Sequence, residues 1–471
     1  MFQNIEKRWL ALGVLCLGSL MIVLDTTIVN VALPSIRSEL GFSASALAWV
    51  INAYVLTFGG FLLLGGRLGD LYGHRKLFLG GIILFTIASL ACGLSTTQGF
   101  LIAARAVQGI GGAIASAVSL SLMMNLFVEP NDRAKAMGVF GFVSAGGGSL
   151  GVLLGGLLTT INWHYIFLVN IPVGVAVVAL SVGLLPKAGE VTGPRHIDVW
   201  GALTITSSLL LAVYAIVGGN DAGWLSVETL DTLAVAALLF VAFLLIELKV
   251  KAPLVPLSLF KVRGVAVANT VGVLWAAAMF AWFFISALYL QLVLHYTPLQ
   301  VGLAFLPANI IMAAFSLGLS ANIVMKWGIR GPLAIGLALA AIGLELFVRA
   351  PINGHFLLDV LPSMTLLGIG AGIAFNPMIL AALSDVPQDE SGLASGLVNT
   401  SFMMGGALGL ALLASLAAAE TQHLMGLGQD QLSAILGGYH AAFLVGGLFA
   451  ALAALLGGTL LRNAAVSPSV R

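Results

Sequence analysis

Charge is what this sequence has least of. Of 471 residues only 8% are charged, with 20 Lys or Arg and 19 Asp or Glu, while 60% are hydrophobic. A soluble domain carries about 25% charged residues. So little polar surface cannot cover so large an apolar interior in water, and the mean hydropathy of +1.08 points to lipid as the solvent. The net charge of +1 leaves no basic footprint for nucleic acid. Cysteine is almost missing too. Cys16 and Cys92 both lie in apolar runs, form neither a disulfide framework nor a metal-ligand spacing, and read as small buried residues. No GxxxxGK[ST] loop occurs, and the longest polar stretches, 186–197, 219–229, 249–264 and 419–437, are too short to fold alone. These absences exclude a soluble catalytic domain and an ATP-driven pump built from this chain. Neither an enzyme activity, a cofactor nor a metal is expected, and the first apolar run reads as a retained span rather than a cleaved leader.

What the chain does have is apolar runs. A membrane helix needs roughly 20 such residues, and fourteen candidates meet that length: 9–32, 46–65, 77–95, 99–124, 134–158, 164–185, 198–218, 230–248, 265–292, 299–322, 332–350, 357–380, 393–418 and 438–461. An even number of spans puts both termini on one side. That side then holds seventeen Lys and Arg, the opposite side holds Arg37 and Arg349, and Arg105 stays within a span. Basic residues concentrate in cytoplasmic loops, so both termini are expected in the cytoplasm of a multi-pass cell-membrane protein.

The two halves resemble each other at an offset of about 255–258 residues. VEPNDRAKAMG (128–138) parallels VPQDESGLASG (386–396), and YGHRK (72–76) parallels KWGIR (326–330). Six spans separate the copies, with two left over. The expected organisation is a six-helix bundle over 1–190, an inserted helix pair over 191–255 and a second six-helix bundle over 256–471. Transporters built from such repeats bind substrate near the midplane, between the repeats.

One loop carries a motif. GRLGDLYGHRK (66–76) joins the second and third runs. Gly66 and Gly69 allow helices to approach closely, Asp70 can accept charge-assisted hydrogen bonds, Gly73 suits a turn with positive φ, and Arg75 and Lys76 belong at the cytoplasmic headgroups. This string resembles the GxxxD(R/K)xGxR(R/K) signature of the major facilitator superfamily, with Leu71 at the usual basic position. RAVQGIGGA (105–113), LDTTIVNVALP (24–34), WHYIFLVNIPVG (163–174) and YLQLVLHYTPLQVGLAFLP (289–307) narrow the resemblance to the fourteen-span drug:proton antiporter branch. It implies an all-α polytopic fold of two six-helix bundles plus an inserted pair, with the loop 66–76 (Gly66, Asp70, Gly73, Arg75, Lys76) as a conformational latch. In the fifth run this branch usually has GPxxGG. Here GSLGVLLGG (148–156) puts Val152 in place of the proline, while Gly147, Gly151 and Gly155, with Gly156 beside them, keep the i, i+4 spacing of tight helix packing.

Asp25 stands inside the first run, where a charge costs roughly 2.5–3.5 kcal/mol or more. It lies nine residues before Pro34, about 13 Å below the outer end of that span, and Arg105 lies roughly 10 Å deep in the fourth. The depths match, and Arg105 needs an acceptor. Either the two form a permanent structural pair, or Asp25 alternates between proton and substrate, as an acid at this motif position does in similar transporters. Gln108, one turn after Arg105, can join them. Glu345 is a second acid within a run, four residues before Arg349. It reads either as an interfacial i, i+4 pair or as a second cation or proton site. Asp70, Asp198, Glu247, Asp385, Asp389 and Glu390 sit near helix ends and read as caps or latch groups. Candidates for a substrate cavity are Asn52, Tyr54, Gln108 and Asn309, together with Trp275, Phe280, Trp282 and Phe283 from the aromatic string WAAAMFAWFF (275–284). Such rings can stack on flat cations or simply pack between helices. Asn376 and Pro377 suggest a kink late in the twelfth run.

The expected function is proton-coupled export of amphipathic drugs, dyes or biocides, cationic or neutral, with the proton gradient as energy source and with small molecules, protons and lipid as the partners. No obligatory protein partner is evident. A same-fold carrier of an endogenous lipid, siderophore or metabolite, working by antiport or symport, remains open, as does a non-transporting membrane receptor.

Overall fold

The computed structural model describes residues 2–127, 129–186, 198–250, 253–315, 319–383, 386 and 391–461, and every regular element among them is helical. The chain divides into two compact units. One comprises Met1–Phe42, Trp49–Leu210 and Leu238–Leu254, and the other Ser43–Ala48, Leu211–Ala237 and Val255–Arg471. In the first lie α1 (Phe2–Leu40), α2 (Trp49–Tyr72), α3 (His74–Gly93), α4 (Gln98–Leu126), α5 (Pro130–Ile161), the single turn α6 (Tyr165–Leu168) and α7 (Asn170–Leu184). Helices α8 (Val199–Ala222) and α9 (Val227–Lys249) are shared, their residues 199–210 and 238–249 belonging to the first unit and the rest to the second. The second holds α10 (Arg263–Leu288) with a π-helical turn at Tyr289–Val293, then α11 (Pro298–Ala314), α12 (Ser320–Trp327), α13 (Arg330–Phe347), α14 (Leu361–Leu383), α15 (Ser391–Gly426) and α16 (Gln431–Leu460).

Twelve helices among the described residues are long and apolar enough to cross a membrane, and two shorter apolar stretches, Leu150–Ile161 and Pro298–Ala314, accompany them. Those two correspond to the fifth and tenth expected spans. In the fifth, many side chains before residue 150 lie outside the described residues; in the tenth, residues 316–318 do.

Helix ends follow local chemistry. Asp198 caps α8 by accepting from the Gly201 amide at 2.7 Å, and Thr97 caps α4. Thr297 and Gln300 form a reciprocal capping box at α11, with Pro298 in its first turn, where a missing N–H costs nothing. Asp430 caps α16 through Ser433 at 3.0 Å, and these bonds from Ser433 hold its carboxyl below the usual range. Prolines act less uniformly than expected. Pro34, expected near the end of the first span, sits inside α1, which continues to Leu40. Pro377 likewise lies inside an unbroken α14. A single proline in a long membrane helix is tolerated where neighbouring groups satisfy the freed carbonyl. The sixth run also keeps a helical course, since Val169 between α6 and α7 has φ −60° and ψ −27° and donates to the Tyr165 carbonyl at 3.0 Å. Pro172 cannot donate to the Leu168 carbonyl, so one bond of the helical ladder is missing there.

The internal repeat reaches the backbone. Gly73 and Gly328, 255 residues apart, take φ of 93° and 76°, and each donates its amide to the carbonyl four residues back, Gly69 at 2.9 Å and Val324 at 2.8 Å. A side chain at either position would be strained. Close helix crossings repeat as well. A methyl group on Gly81 (α3) would meet the Gly111 carbonyl (α4) at 2.8 Å, and one on Gly336 (α13) would meet the Gly370 carbonyl (α14) at 2.8 Å. In the first unit Gly147, Gly151 and Gly155 of α5 press against Leu20, Val23, Leu24, Thr27 and Ile28 of α1. In the second, Gly405 and Gly409 of α15 press against Val273 and Ala277 of α10. Without a hydrophobic drive between helices in lipid, such small-residue contacts let dispersion hold a bundle together.

Gly66 departs from the expected close approach. A methyl group there would meet nothing within 4 Å, whereas at Gly69 it would lie 2.6 Å from Val118 Cγ1. Three residues apart, the two glycines are near neighbours on α2, yet only Gly69 lies against a side chain of α4. At Gly155 an added methyl would come within 2.6 Å of the Ile28 carbonyl. Gly155→Val is therefore expected to destabilise the protein by about 1–3 kcal/mol through overpacking, while Gly66→Ala stays within about 0.5 kcal/mol of wild type. Thermal unfolding of both variants in detergent checks the contrast.

Candidate functional site

Among the described residues, the first unit contains one fully buried ion pair, in a site assembled from five helices. On α1, the residues after Asp25 turn their polar groups back on their own helix. Thr26 donates to the Val23 carbonyl at 2.7 Å, Thr27 to Leu24 at 3.2 Å, and Asn30 to Thr27 at 3.3 Å. Asp25 has no donor to spend in this way, and its carboxylate reaches out to the neighbouring helices.

On α4, Arg105 and Gln108 share a face. Arg105 Nη1 lies 2.5 Å from Asp25 Oδ2 and also donates to Gln108 Oε1 at 2.8 Å. Its Nε donates to the Val50 carbonyl of α2 at 2.9 Å. The guanidinium carbon lies 4.3 Å from the Tyr54 ring centre and 5.6 Å from that of Phe167. Gln108 Nε2 donates to Asp25 Oδ1 at 2.8 Å, and Asn170 Nδ2 of α7 donates to the same oxygen at 3.0 Å. Both amides also donate to Ser89 Oγ on α3, at 3.1 and 3.0 Å. Ser89 in turn donates its only proton to the Phe167 carbonyl at 2.9 Å, and the Cys92 thiol reaches Gln108 Oε1 at 3.5 Å.

Exposure here decides the energetics. Asp25 is 0% exposed and Arg105 1%. Taking two charges out of water costs several kcal/mol for each ion, and their attraction repays this only when the geometry is good and the remaining lone pairs and protons are bonded. Asp25 meets that condition with three donors. An isolated carboxylate here would be expelled or neutralised. Chemically, the arrangement holds a carboxyl group away from water against a base and two amide donors.

The loop after α2 is also built. Gly73 precedes α3 with its positive φ, Arg75 Nη2 donates to the Val182 carbonyl near the end of α7 at 2.6 Å, and Lys76 is exposed. The side chain of Asp70 lies outside the described residues, as do Asp385, Asp389 and Glu390. Gly156 is buried in α5 next to the glycine ladder.

The Major Facilitator Superfamily profile matches residues 15–410. This chain belongs to that superfamily, a family of membrane transporters. It is 37% identical over 418 residues to the puromycin resistance protein pur8 of Streptomyces alboniger, covering 88% of this chain and 83% of that one. It is 35% identical over 421 residues to the cephamycin export protein CmcT of Amycolatopsis lactamdurans, covering 87% and 85%. Among solved structures, the nucleoside transporter NupG superposes with a TM-score of 0.68 over 96% of this chain and 100% of that one, at 12% identity, a likeness of fold.

The cavity candidates of this facilitator-fold transporter separate by unit. In the first, Tyr54 stacks on Phe58 with ring centres 5.8 Å apart and lies edge-on to Phe85. Neither its hydroxyl nor either side-chain atom of the fully buried Asn52 has a hydrogen-bond partner among the described residues. In the second, Phe283 stacks on Phe305 of α11 at 5.4 Å, with Trp282 4.4 Å from Phe283. Asn309 lies one turn after Phe305, and its Nδ2, like the indole nitrogens of Trp275 and Trp282, has no partner among the described residues. Phe280 packs instead on Phe402 and Gly406 of α15. Glu345 is half-buried on α13 with its carboxylate against Gly447 of α16. Among the described residues it makes no ion pair within 4 Å, and the charge of Arg349, four residues on, acts on it from farther away.

Ser89 and Asn170 complete the site without having stood out in the sequence. Each is one neutral polar residue inside an apolar run, a pattern that many packing serines and asparagines share. Asn170 does fall within the motif 163–174, the one signal that could have singled it out. Because removing one partner strands a buried charge, Arg105→Leu is expected to destabilise the protein by about 3–5 kcal/mol. The double variant Asp25→Leu with Arg105→Leu recovers most of that loss. A double-mutant cycle on thermal unfolding in detergent measures the coupling.

Proposed function

We propose that this protein exports amphipathic antimicrobial compounds, cationic or neutral, in exchange for protons, by alternating access. The observation that carries this reading is Asp25, an acid with no exposure held by a base and two amides. An intramembrane ionisable residue marks a substrate or proton path by default, and a carboxylate that can take a proton in place of a cationic partner is the minimal coupling element. The names of the relatives, which are resistance and export proteins, supply the direction of transport and the class of cargo. In this reading Asp25 is the proton-coupled acid and Arg105 its partner. Glu345 is a second proton or cation site, and Asn52, Tyr54, Gln108, Trp275, Trp282, Phe283 and Asn309 contribute to the substrate path.

We further place the chain in the fourteen-span drug:proton antiporter branch. The two short apolar helices count as spans, 1–190 and 256–471 are the two bundles, and 191–255 is the inserted pair. The excess of basic residues puts both termini in the cytoplasm and the loop Gly66 to Lys76 on the same side, as the latch between conformations.

The test is ethidium efflux from proteoliposomes under an imposed pH gradient. The wild-type protein is expected to expel ethidium against its gradient and to release protons in return. Asp25→Asn is expected to lose coupled efflux entirely while still folding, since an amide of the same shape is neutral and cannot exchange a proton. Coupled efflux by Asp25→Asn at the wild-type rate would sink the assignment of Asp25.

A further inference from the structure

The hydrogen bonds around Asp25 form a closed ring whose donors and acceptors can be counted. Gln108 Nε2 and Asn170 Nδ2 each carry two N–H groups, and each gives one to Asp25 Oδ1 and one to Ser89 Oγ. Ser89 cannot donate into the ring, because its single proton goes to the Phe167 carbonyl. All four amide hydrogens are therefore used, and the count closes only when Asp25 is ionised and acts solely as an acceptor.

A proton arriving from the aqueous phase must form its O–H bond on one of the two carboxylate oxygens. On Oδ2 it would face Arg105, which offers only donors. Arg105 is also fixed in place by the Val50 carbonyl, by Gln108 Oε1 and by the two aromatic rings. On Oδ1 the new O–H would face the two amide N–H groups, and one of the amides has to yield. Gln108 cannot turn over, since its Oε1 already accepts from Arg105 Nη1 at 2.8 Å and from the Cys92 thiol at 3.5 Å. No hydrogen bond ties Asn170 Oδ1 among the described residues, and turning that amide over would present this oxygen to the Asp25 hydroxyl.

Asn170 is also the first residue of α7, two residues before Pro172, which leaves the Leu168 carbonyl without its helical donor. Phe167, whose carbonyl takes the Ser89 proton, lies one residue before that carbonyl. A turned amide offers Ser89 an acceptor in place of a donor, so the Ser89 proton can leave Phe167 for Asn170. The charge on Asp25 is thereby linked to the backbone on both sides of the missing bond in the sixth apolar run. The titratable and charged groups near Asp25 are Arg105 on α4, Tyr54 on α2 and Cys92 on α3. Among the described residues α5 faces α1 with glycines, and α7 brings only the amide of Asn170.

We propose that Asn170 is the positioning residue that senses the protonation of Asp25, its side-chain amide turning over as the proton is taken up and passing the change through Ser89 to the Phe167 carbonyl, just before the place where Pro172 leaves the helical ladder one bond short. The proposal rests on the reading of Asp25 as the proton-coupled acid.

Infrared pH-difference spectra of the wild-type protein in proteoliposomes, with asparagine isotope-labelled, give the test that needs no variant to fold. An asparagine side-chain amide band is expected to shift in step with the carboxyl band of Asp25. In Asn170→Asp that amide change is expected to vanish. A carboxyl band that titrates without any asparagine change overturns the proposal.

Ethidium efflux adds the kinetic reading. Asn170→Leu keeps the volume and removes both donor and acceptor. It is expected to leave KM for ethidium within about threefold of wild type, to lower kcat about tenfold and to flatten the pH profile. Asn170→Asp can still donate or accept, and it is expected to keep a pH-dependent rate with a displaced profile. Ser89→Ala serves if Asn170→Leu does not fold, and is expected to show the same split between KM and kcat. A wild-type kcat and pH profile in either variant, in protein of normal thermal stability, overturns the proposal. Asp25→Asn measured alongside separates the two failures. If it remains coupled, the reading of Asp25 falls; if it loses coupling while Asn170→Leu behaves as wild type, only the role of Asn170 falls.

Discussion

An acid placed against a base where water does not reach is the constraint on which the first unit depends. Asp25 can remain there only because a guanidinium and two amides converge on it. Those groups come from α4 and α7, and Arg105 is steadied from α2 and Gln108 from α3. The positions of five helices are thus written into one acceptor's coordination. A fully satisfied polar network in a low-dielectric interior is rigid, and losing any one of its donors or acceptors leaves another group unpaired at high cost.

The glycine contacts provide the complementary property. Where α5 meets α1 and α3 meets α4, the contact is backbone against backbone, with no long side chains interlocking. Such surfaces hold by dispersion over a close, smooth approach. Asp25 lies on α1 within the stretch that the α5 glycines cover, so the charge network and the smooth interface share one helix. The second unit repeats the crossings through Gly336 with Gly370 and Gly405 with Gly409. Among the described residues it does not repeat the buried ion pair. Its α10 carries Trp275, Trp282 and Phe283 in its buried core, with indole donors that have no partner among the described residues. The two halves share a way of packing helices.

Much of this was legible in the linear sequence, for a simple reason. Ionisable residues are so costly in apolar runs that Asp25, Arg105 and Glu345 stand out on composition alone, and Gln108 follows from helical spacing after Arg105. The repeat at 255 residues was visible in two short strings and recurs in the φ of Gly73 and Gly328. Other features were not legible. Ser89 and Asn170 are neutral, so they cost little in an apolar run and do not stand out. Gly66 and Gly69 look equivalent on paper, yet only Gly69 has a neighbouring helix against it. Pro34 reads as the end of the first span and is carried inside α1, and Pro377 lies inside α14.

The sequence by itself determined the solvent, the helical class, the superfamily and the presence of Asp25 within an apolar run, because each depends on residue type and on spacing along a single helix. Tertiary structure alone decided which groups hold that acid. Asp25 is 80 residues from Arg105 and 145 from Asn170, and no local periodicity carries information across such distances. The assignment of donors and acceptors, which makes the ring around Asp25 complete when it is ionised and overfull when it is protonated, exists only once α1, α3, α4 and α7 are packed together.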